Sequence, residues 1–496
     1  MAHVVQTVLE TGKQRALEVA GGPARLQVIV TLAAVLGLDT ADKGTVSAVS
    51  GQLKDAFGIG NTEIGLLLAV VSFVGALATL PMGIFADRVP RRTILLSVIG
   101  LWALAMIVSG TSTSYIYLMA TRILLGAVTA AAWPCVASLT GDFFPARERA
   151  GIYGLILSGE LIGAGVGFFI SGEVSSVLSW RWSFYVMGAV SLGIWWLVWH
   201  HLPEPERGTQ SWIELGARDP EAASRSGGRE QDGSETSTES GLARETAREA
   251  DVQPRRQLVL HEDPTRRSWW WTMRYLMHIP TYPLLIAASA LAYYFFSGAR
   301  AFAMIYFTEH YDLARSVVSA LVIVVGIGAI AGVVAGGQMS EWLLRKGHLT
   351  VRIVLPAIAL FVAVLFLGYG VWTPSVWIGI TMLTIGAGAL AAAVAPIDAA
   401  RLDIIHPRMW GRAEAGRMAL RAAFEGSAPL LFGAVSGWLG GGAEGLKWTF
   451  LIMLTPALAA SLLAIPARRT YPRDVATAAA SVEATSKRKG QNRSSG

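Results

Sequence analysis

Apolar runs of about twenty residues recur along this chain about twelve times, and nothing else restricts its fold as strongly. A helix rises ~1.5 Å per residue, so ~20 residues cross the ~30 Å of bilayer hydrocarbon. The runs fall near 25–50, 62–86, 93–112, 114–140, 149–172, 181–202, 281–308, 315–340, 351–372, 375–402, 411–437 and 446–466. They are continuous, unlike the alternating ten-residue segments of a barrel, and helix satisfies every backbone group within one segment. With 53% hydrophobic and 15% charged residues in 496, the chain is too apolar for water. An all-α integral membrane protein of twelve spans is expected, with the lipid bilayer as its surrounding partner.

The loop after the second run reads Gly83-Ile-Phe-Ala-Asp87-Arg88-Val-Pro90-Arg91-Arg92, and the loop after the eighth reads Gly337-Gln-Met-Ser-Glu341-Trp-Leu-Leu-Arg345-Lys346. Glycine, acid and a basic pair recur at one spacing, which implies two related halves of six spans each. Lys and Arg orient them. Arg88, Arg91, Arg92, Arg147, Arg149, Arg345, Lys346, Arg352, Arg408, Arg412, Arg468 and Arg469 fall on one side, while loops 110–114 and 372–375 carry almost no charge. By the positive-inside rule both termini and the long central loop are expected in the cytoplasm, with the chain in the plasma (inner) membrane. The net charge of +6 then reflects topology, and no nucleic-acid partner is expected. Cys135 is the only cysteine, so no intramolecular disulfide or cysteine metal site is expected, nor any cofactor. Residues 1–24 lack a small-residue cleavage site before the first run, which argues against a removable signal peptide.

Four segments follow: a six-helix bundle over 1–202, a cytoplasmic linker over 203–280, a second bundle over 281–466, and a disordered basic tail over 467–496. Between 203 and 268 the composition turns to Gly, Ser, Thr, Glu, Arg and Pro, which cannot bury a core, so disorder is expected. Arg266-Arg267-Ser268-Trp269-Trp270-Trp271 should lay a short interfacial helix on the inner leaflet.

Ionisable side chains inside a span are costly unless they face a cavity or a partner, so each is a functional candidate. The sequence puts Asp39, Asp42 and Lys43 in span 1, Arg122 in span 4, Glu160 in span 5, Arg300 in span 7, Asp398 and Arg401 in span 10, and Arg417, Arg421 and Glu425 in span 11. Heights along the helices allow Asp42 to meet Arg122 in one half of the membrane, and place Glu160 and Glu425 near its middle. Asp398, Arg401 and Asp403 lie at the inner end of span 10 and read as a cytoplasmic gate. Plainer readings stand beside these. Asp42 and Arg122 fit a static ion pair, Glu160 beside Gly159, Gly163 and Gly167 fits a helix-packing stripe, and Trp133, Tyr293 and Tyr294 fit ordinary packing. Asp42, Glu160 and Glu425 are the proton-coupling candidates; Lys43, Arg122, Trp133, Tyr293 and Arg300 are the substrate-binding candidates.

The doubled loop resembles the major facilitator superfamily, whose signature between the second and third helices of each half is G-x-x-x-D-x-x-x-R-[RK]. That resemblance implies two pseudo-symmetric six-helix bundles and secondary transport. It also implies a cytoplasmic charge cluster of Asp87, Arg91 and Asp142, and a counterpart of Asp403, Glu341 and Arg345, flanked by Gly83, Arg88 and Arg92. Pro90 stands where the family usually has glycine. Within the superfamily the chain is similar to spinster-like lysolipid carriers through Asp42-Lys43, Phe57-Gly-Ile-Gly-Asn-Thr-Glu63-Ile-Gly65, Trp180-Arg181-Trp182-Ser-Phe184, Glu204-Pro205-Glu-Arg207-Gly208 and Gly426-Ser-Ala-Pro429-Leu-Leu-Phe-Gly433. That branch carries a glutamate after the span-4 arginine, but here the position is Thr129. Phe168 likewise replaces the proline of the antiporter pattern in span 5.

A secondary carrier by alternating access is the expectation, proton-coupled, monomeric, and moving an amphiphilic or organic anionic solute such as a lysophospholipid. Organic-acid uptake, drug:proton antiport and a membrane sensor or scaffold remain open alternatives. No set of nucleophile, base and orienter can be assembled, and no phosphate-cradling glycine loop is present, so an enzyme or an ATP-driven pump is not expected.

Overall fold

A computed structural model describes residues 22–86, 89–144, 149–204, 238–262, 264 and 267–494. Every run expected to span the membrane is helical there: α1 (Pro23–Phe57), α2 (Asn61–Ala86), α3 (Arg91–Gly110), α4 with α5 (Tyr115–Thr129, Ala132–Phe143), α6 (Arg149–Val177) and α7 (Trp180–His201). Two shorter helices follow, α8 (Thr238–Glu249) and α9 (Trp269–His278). The later spans are α10 (Thr281–Tyr311), α11 (Arg315–Arg345), α12 (Val351–Trp372), α13 with α14 (Val376–Ala392, Val394–Asp403), α15 (Trp410–Trp438), and α16 with α17 (Gly442–Met453, Thr455–Leu462), which lead into α18 (Ala464–Ser494). Among the described residues ten stretches are long and apolar enough to cross a bilayer. α6 contributes the shorter apolar stretch Ile162–Val177, and the polar composition of α15 comes from Arg412, Glu414, Arg417, Arg421 and Glu425.

The fourth, tenth and twelfth spans are interrupted for one chemical reason. Proline lacks an N–H and its ring clashes with the carbonyl four residues back. α4 stops at Thr129 ahead of Pro134, α13 at Ala392 ahead of Pro396, and α16 at Met453 ahead of Pro456.

The chain divides into two compact units, residues 1–58 with 70–236, and residues 59–69 with 237–496. The first turns of α2 pack within the second unit. Asn61 Nδ2 donates to Ser436 Oγ at 2.8 Å there, and a Cβ on Gly65 would stand 2.3 Å from the Pro429 carbonyl oxygen. In the first unit α1 and α6 run in close contact. A Cβ on Gly163 would meet the Gly37 oxygen at 2.1 Å, and one on Gly167 the Ala41 oxygen at 2.2 Å, so only glycine permits this approach. The second unit repeats the device between α11 and α13, where a Cβ on Gly332 would lie 2.0 Å from the Gly388 oxygen.

Two expectations of disorder are corrected. The tail expected to be disordered from 467 is helical through Ser494, and it buries a stripe of Ala467, Tyr471, Asp474, Val475, Ala478 and Ser481 at helical spacing. The later part of the linker is ordered as well: α8 buries Ala243, Thr246 and Ala247, and residues 255–260 hydrogen-bond to α18. The helix expected after Arg266 is present as α9, capped by Ser268 Oγ, with Trp270 and Met277 exposed. Residues 205–237 and Arg266 lie outside the described residues.

Candidate functional site

In the first unit a tight ion pair is fully buried. Arg122 on α4 donates through one guanidinium nitrogen to Asp42 Oδ1 on α1 at 2.7 Å and through another to Ser109 Oγ on α3 at 2.7 Å. Its side chain is 0% exposed, and the Phe184 ring of α7 lies 5.2 Å from its charge centre. Ser109 is itself held by Thr121 at 2.9 Å. Four helices therefore converge on one guanidinium, which accords with the static-pair reading of Asp42 and Arg122. Lys43 pairs instead with Asp39 one turn back on α1, at 2.9 Å. Glu160 is half-buried, and its backbone carbonyl accepts from Thr40 Oγ1 at 2.7 Å, stitching α6 to α1. Trp133 is half-buried in the first turn of α5, just past the break in the fourth span.

The second unit brings four groups together on α10 and α15. Glu425 lies between two guanidinium groups, Arg300 at 3.4 Å and Arg421 at 3.5 Å. Each of the three side chains keeps about a sixth of its surface exposed, at 16–17%. Arg421 also covers the Tyr293 ring at 4.1 Å, and Ser297 Oγ donates to the Glu425 carbonyl at 2.9 Å. One turn below Arg421 on the same face is Arg417, which lies 3.9 Å from Asp398 on α14; Arg401 approaches the same carboxylate at 3.8 Å. Arg417, Arg421 and Glu425 thus form an i, i+4, i+8 ladder on α15. From the sequence, Arg421 is one of the membrane charges with no assigned role. Its four-residue spacing to both Arg417 and Glu425 was the available signal.

The first-half charge cluster that the family signature implies falls largely outside the described residues. Asp87 and Arg88 lie outside the described residues, as does the side chain of Asp142, whose backbone closes α5; Gly83 lies in the last turns of α2. Arg91 and Arg92 open α3, and both backbone N–H groups are accepted by the Glu204 carboxylate, at 2.9 and 2.6 Å. A carboxylate over a helix N-terminus satisfies orphan donors and faces the positive end of the helix dipole. The Arg92 guanidinium reaches the Trp199 carbonyl.

In the second half Asp403 does not join Glu341 and Arg345. Glu341 and Arg345 pair with each other along α11 at 3.7 Å, on an exposed surface. Asp403 is fully buried, bound through both oxygens to Arg352 at 2.6 Å, and accepts from the Tyr471 hydroxyl. The physical reason is register: Arg352 begins α12 facing α14, whereas Arg345 ends α11 facing outward.

The sequence profile of the Major Facilitator Superfamily matches residues 32–413. A D-galactonate transporter of Escherichia coli O6:H1 is 28% identical over 190 residues, which cover 38% of this chain and 44% of that one. A probable sugar efflux transporter of Helicobacter pylori (strain P12) is 25% identical over 165 residues, 33% of this chain and 42% of that one. The chain thus spans less than half the length of these curated relatives. Among solved structures, a bacterial homolog to the human lysosomal transporter Spinster, inward-facing and unoccupied, superposes with a TM-score of 0.72 at 18% identity, covering 91% of this chain and 98% of that one. The nucleoside transporter NupG superposes with a TM-score of 0.57 at 12% identity, covering 90% and 99%. Ten membrane-length apolar helical stretches among the described residues, a loop signature present twice and a profile match across most of the chain together show that this multi-pass membrane protein belongs to the Major Facilitator Superfamily of transporters and is not an enzyme.

Proposed function

We propose that the chain is a proton-coupled secondary carrier for an organic anion, working by alternating access with both termini and the central loop in the cytoplasm. The observation that carries this reading is the placing of Arg300 and Arg421 about Glu425, next to the Tyr293 ring. Ion-pair contacts of 3.4 and 3.5 Å on partly exposed groups are loose enough to exchange. A substrate carboxylate or phosphate can take the position of the Glu425 carboxylate between the two guanidinium groups once Glu425 is protonated, so proton and anion load together. Arginine suits this role because its fork matches planar oxyanions. Asp42 is the weaker coupling candidate, since its carboxylate is buried and committed to Arg122.

Two classes of solute share that headgroup chemistry. A small sugar acid is favoured by the likeness to the D-galactonate transporter. A lysophospholipid is favoured by the fold likeness to a spinster homolog and by the sequence motifs of that branch. The test is thermal stabilisation of purified protein, since preferential binding raises Tm. D-galactonate, a lysophospholipid and tetraphenylphosphonium are compared at pH 5.5 and 7.5. A shift with either anion or zwitterion, larger at the lower pH, supports the reading; a shift with the cation alone returns the chain to drug efflux.

A further inference from the structure

The tail helix and the late linker form a built assembly on the second unit. Asp474 of α18 is fully buried and makes three connections: Thr281 N at 3.0 Å and Thr281 Oγ1 at 2.7 Å, at the first residue of α10, and Arg255 Nε of the linker at 2.9 Å. One turn earlier on α18, Tyr471 reaches the Asp403 carboxylate at the end of α14, which in turn holds Arg352 at the start of α12. The linker runs alongside. Its Arg255 and Leu260 backbone N–H groups donate to Thr477 Oγ1 at 2.9 Å and to Ser481 Oγ at 3.0 Å, and Tyr275 of α9 donates to the Leu258 carbonyl at 2.7 Å. Burial pushes the Tyr275 hydroxyl up to about 12, so it stays a donor at neutral pH. Farther along, Arg244 of α8 reaches the Ile405 carbonyl, and His406 meets Thr485.

Most apolar residues buried on the two helices are small, Ala243 and Ala247 on α8 and Ala476, Ala478 and Ala479 on α18, beside Tyr471 and Val475. Alanine buries little surface, and hydrophobic stabilisation scales with the area removed from water. The polar pins therefore decide whether the assembly stays closed. We propose that Tyr471 and Asp474 are positioning residues of a releasable clamp, in which α18 and linker residues 238–262 hold the starts of α10 and α12 and the end of α14 as one block. These are the ends of the C-terminal bundle from which its loops emerge on one face, so release of the clamp frees the charged pair Arg352–Asp403 to rearrange during transport.

Hydrogen exchange on the full-length protein tests this without knowledge of the substrate. Asp474→Asn is expected to raise exchange at least fivefold in 250–262 and 464–485, and also in 281–285, 351–355 and 400–406, while α3 and α7 keep parental rates. Tyr471→Phe, a milder change, should raise exchange in 351–355 and 400–406 with Tm near the parental value. The opposite perturbation is a lock: Leu260→Cys with Ser481→Cys in a Cys135→Ala background. Oxidation should slow exchange at the same helix ends, and dithiothreitol should restore it. Loosening confined to the strap, with α10, α12 and α14 unchanged, overturns the proposal, as does a uniform rise across the second unit with a collapsed Tm, or a cross-link without effect.

Discussion

Two clusters of membrane-embedded charge, Arg122 with Asp42 in one unit and Glu425 with Arg300 and Arg421 in the other, are built in opposite styles. In the first, Arg122 and Asp42 meet at 2.7 Å with 0% and 3% of their side chains exposed, and Ser109 takes a further guanidinium donor. In the second, Glu425 is shared by Arg300 and Arg421 at 3.4 and 3.5 Å, with 16–17% exposure. Burying an ion costs several kcal/mol, about offset by a partner of good geometry, so a tight dry pair fixes helices while adding little net stability. A loose, wet cluster has surrendered less hydration and exchanges partners at lower cost. On the proposed reading, the contrast separates charge that holds the fold from charge that a solute can engage. Composition cannot make that distinction, because both clusters are arginine with acid inside apolar spans.

The largest effect that would break this comparison is Arg122→Ala. It strands the Asp42 carboxylate in a dry site, and a loss of about 3–5 kcal/mol is expected in thermal or denaturant unfolding in detergent. Near-parental stability would move Arg122 into the exchangeable class. Next comes Arg421→Gln, expected to weaken binding of an organic anion by ~1.5–3 kcal/mol while shifting stability by less than about 0.5 kcal/mol. Isothermal titration checks the first figure, and the reverse pattern, stability lost and binding kept, would make the second cluster structural as well. Glu425→Gln sharpens the coupling assignment: anion binding should persist, with stability changed by about 1 kcal/mol or less, while proton movement accompanying transport in liposomes disappears. Persisting proton movement would return the role to Asp42 or Glu160. The smallest effect belongs to Asp39→Asn, which removes an i, i+4 pair with Lys43 within α1 and should cost only ~0.3–0.5 kcal/mol in the same unfolding measurement.

Where sequence reasoning held, the relevant interactions are local or periodic. The apolar runs set the spans because each helix satisfies its own backbone, and the proline positions explain where the fourth, tenth and twelfth spans break. Asp42 with Arg122 was reachable from helix rise alone, since both charges lie at matching heights. Other partners were out of reach. Glu204 caps α3 across more than a hundred residues of chain, and nothing in its own segment announces an acceptor for Arg91 and Arg92. The tail shows the complementary failure. Its basic character suggested disorder, yet Ala467, Tyr471, Val475, Ala478 and Ser481 recur at helical spacing and mark a buried face.

The sequence by itself determined a helical membrane protein of two related halves and its membership of a transporter superfamily, because span length, helix breaks and a doubled loop motif are encoded residue by residue along the chain. Only the tertiary structure decided that Asp403 takes Arg352 and Tyr471 in place of Arg345, that Arg421 shares Glu425 with Arg300, and that the tail is a docked helix. Each of those depends on how a helix is rotated and how far it is shifted against its neighbour. A rotation of one residue, ~100° for a helix of 3.6 residues per turn, turns a partner away without changing the spacing along either helix.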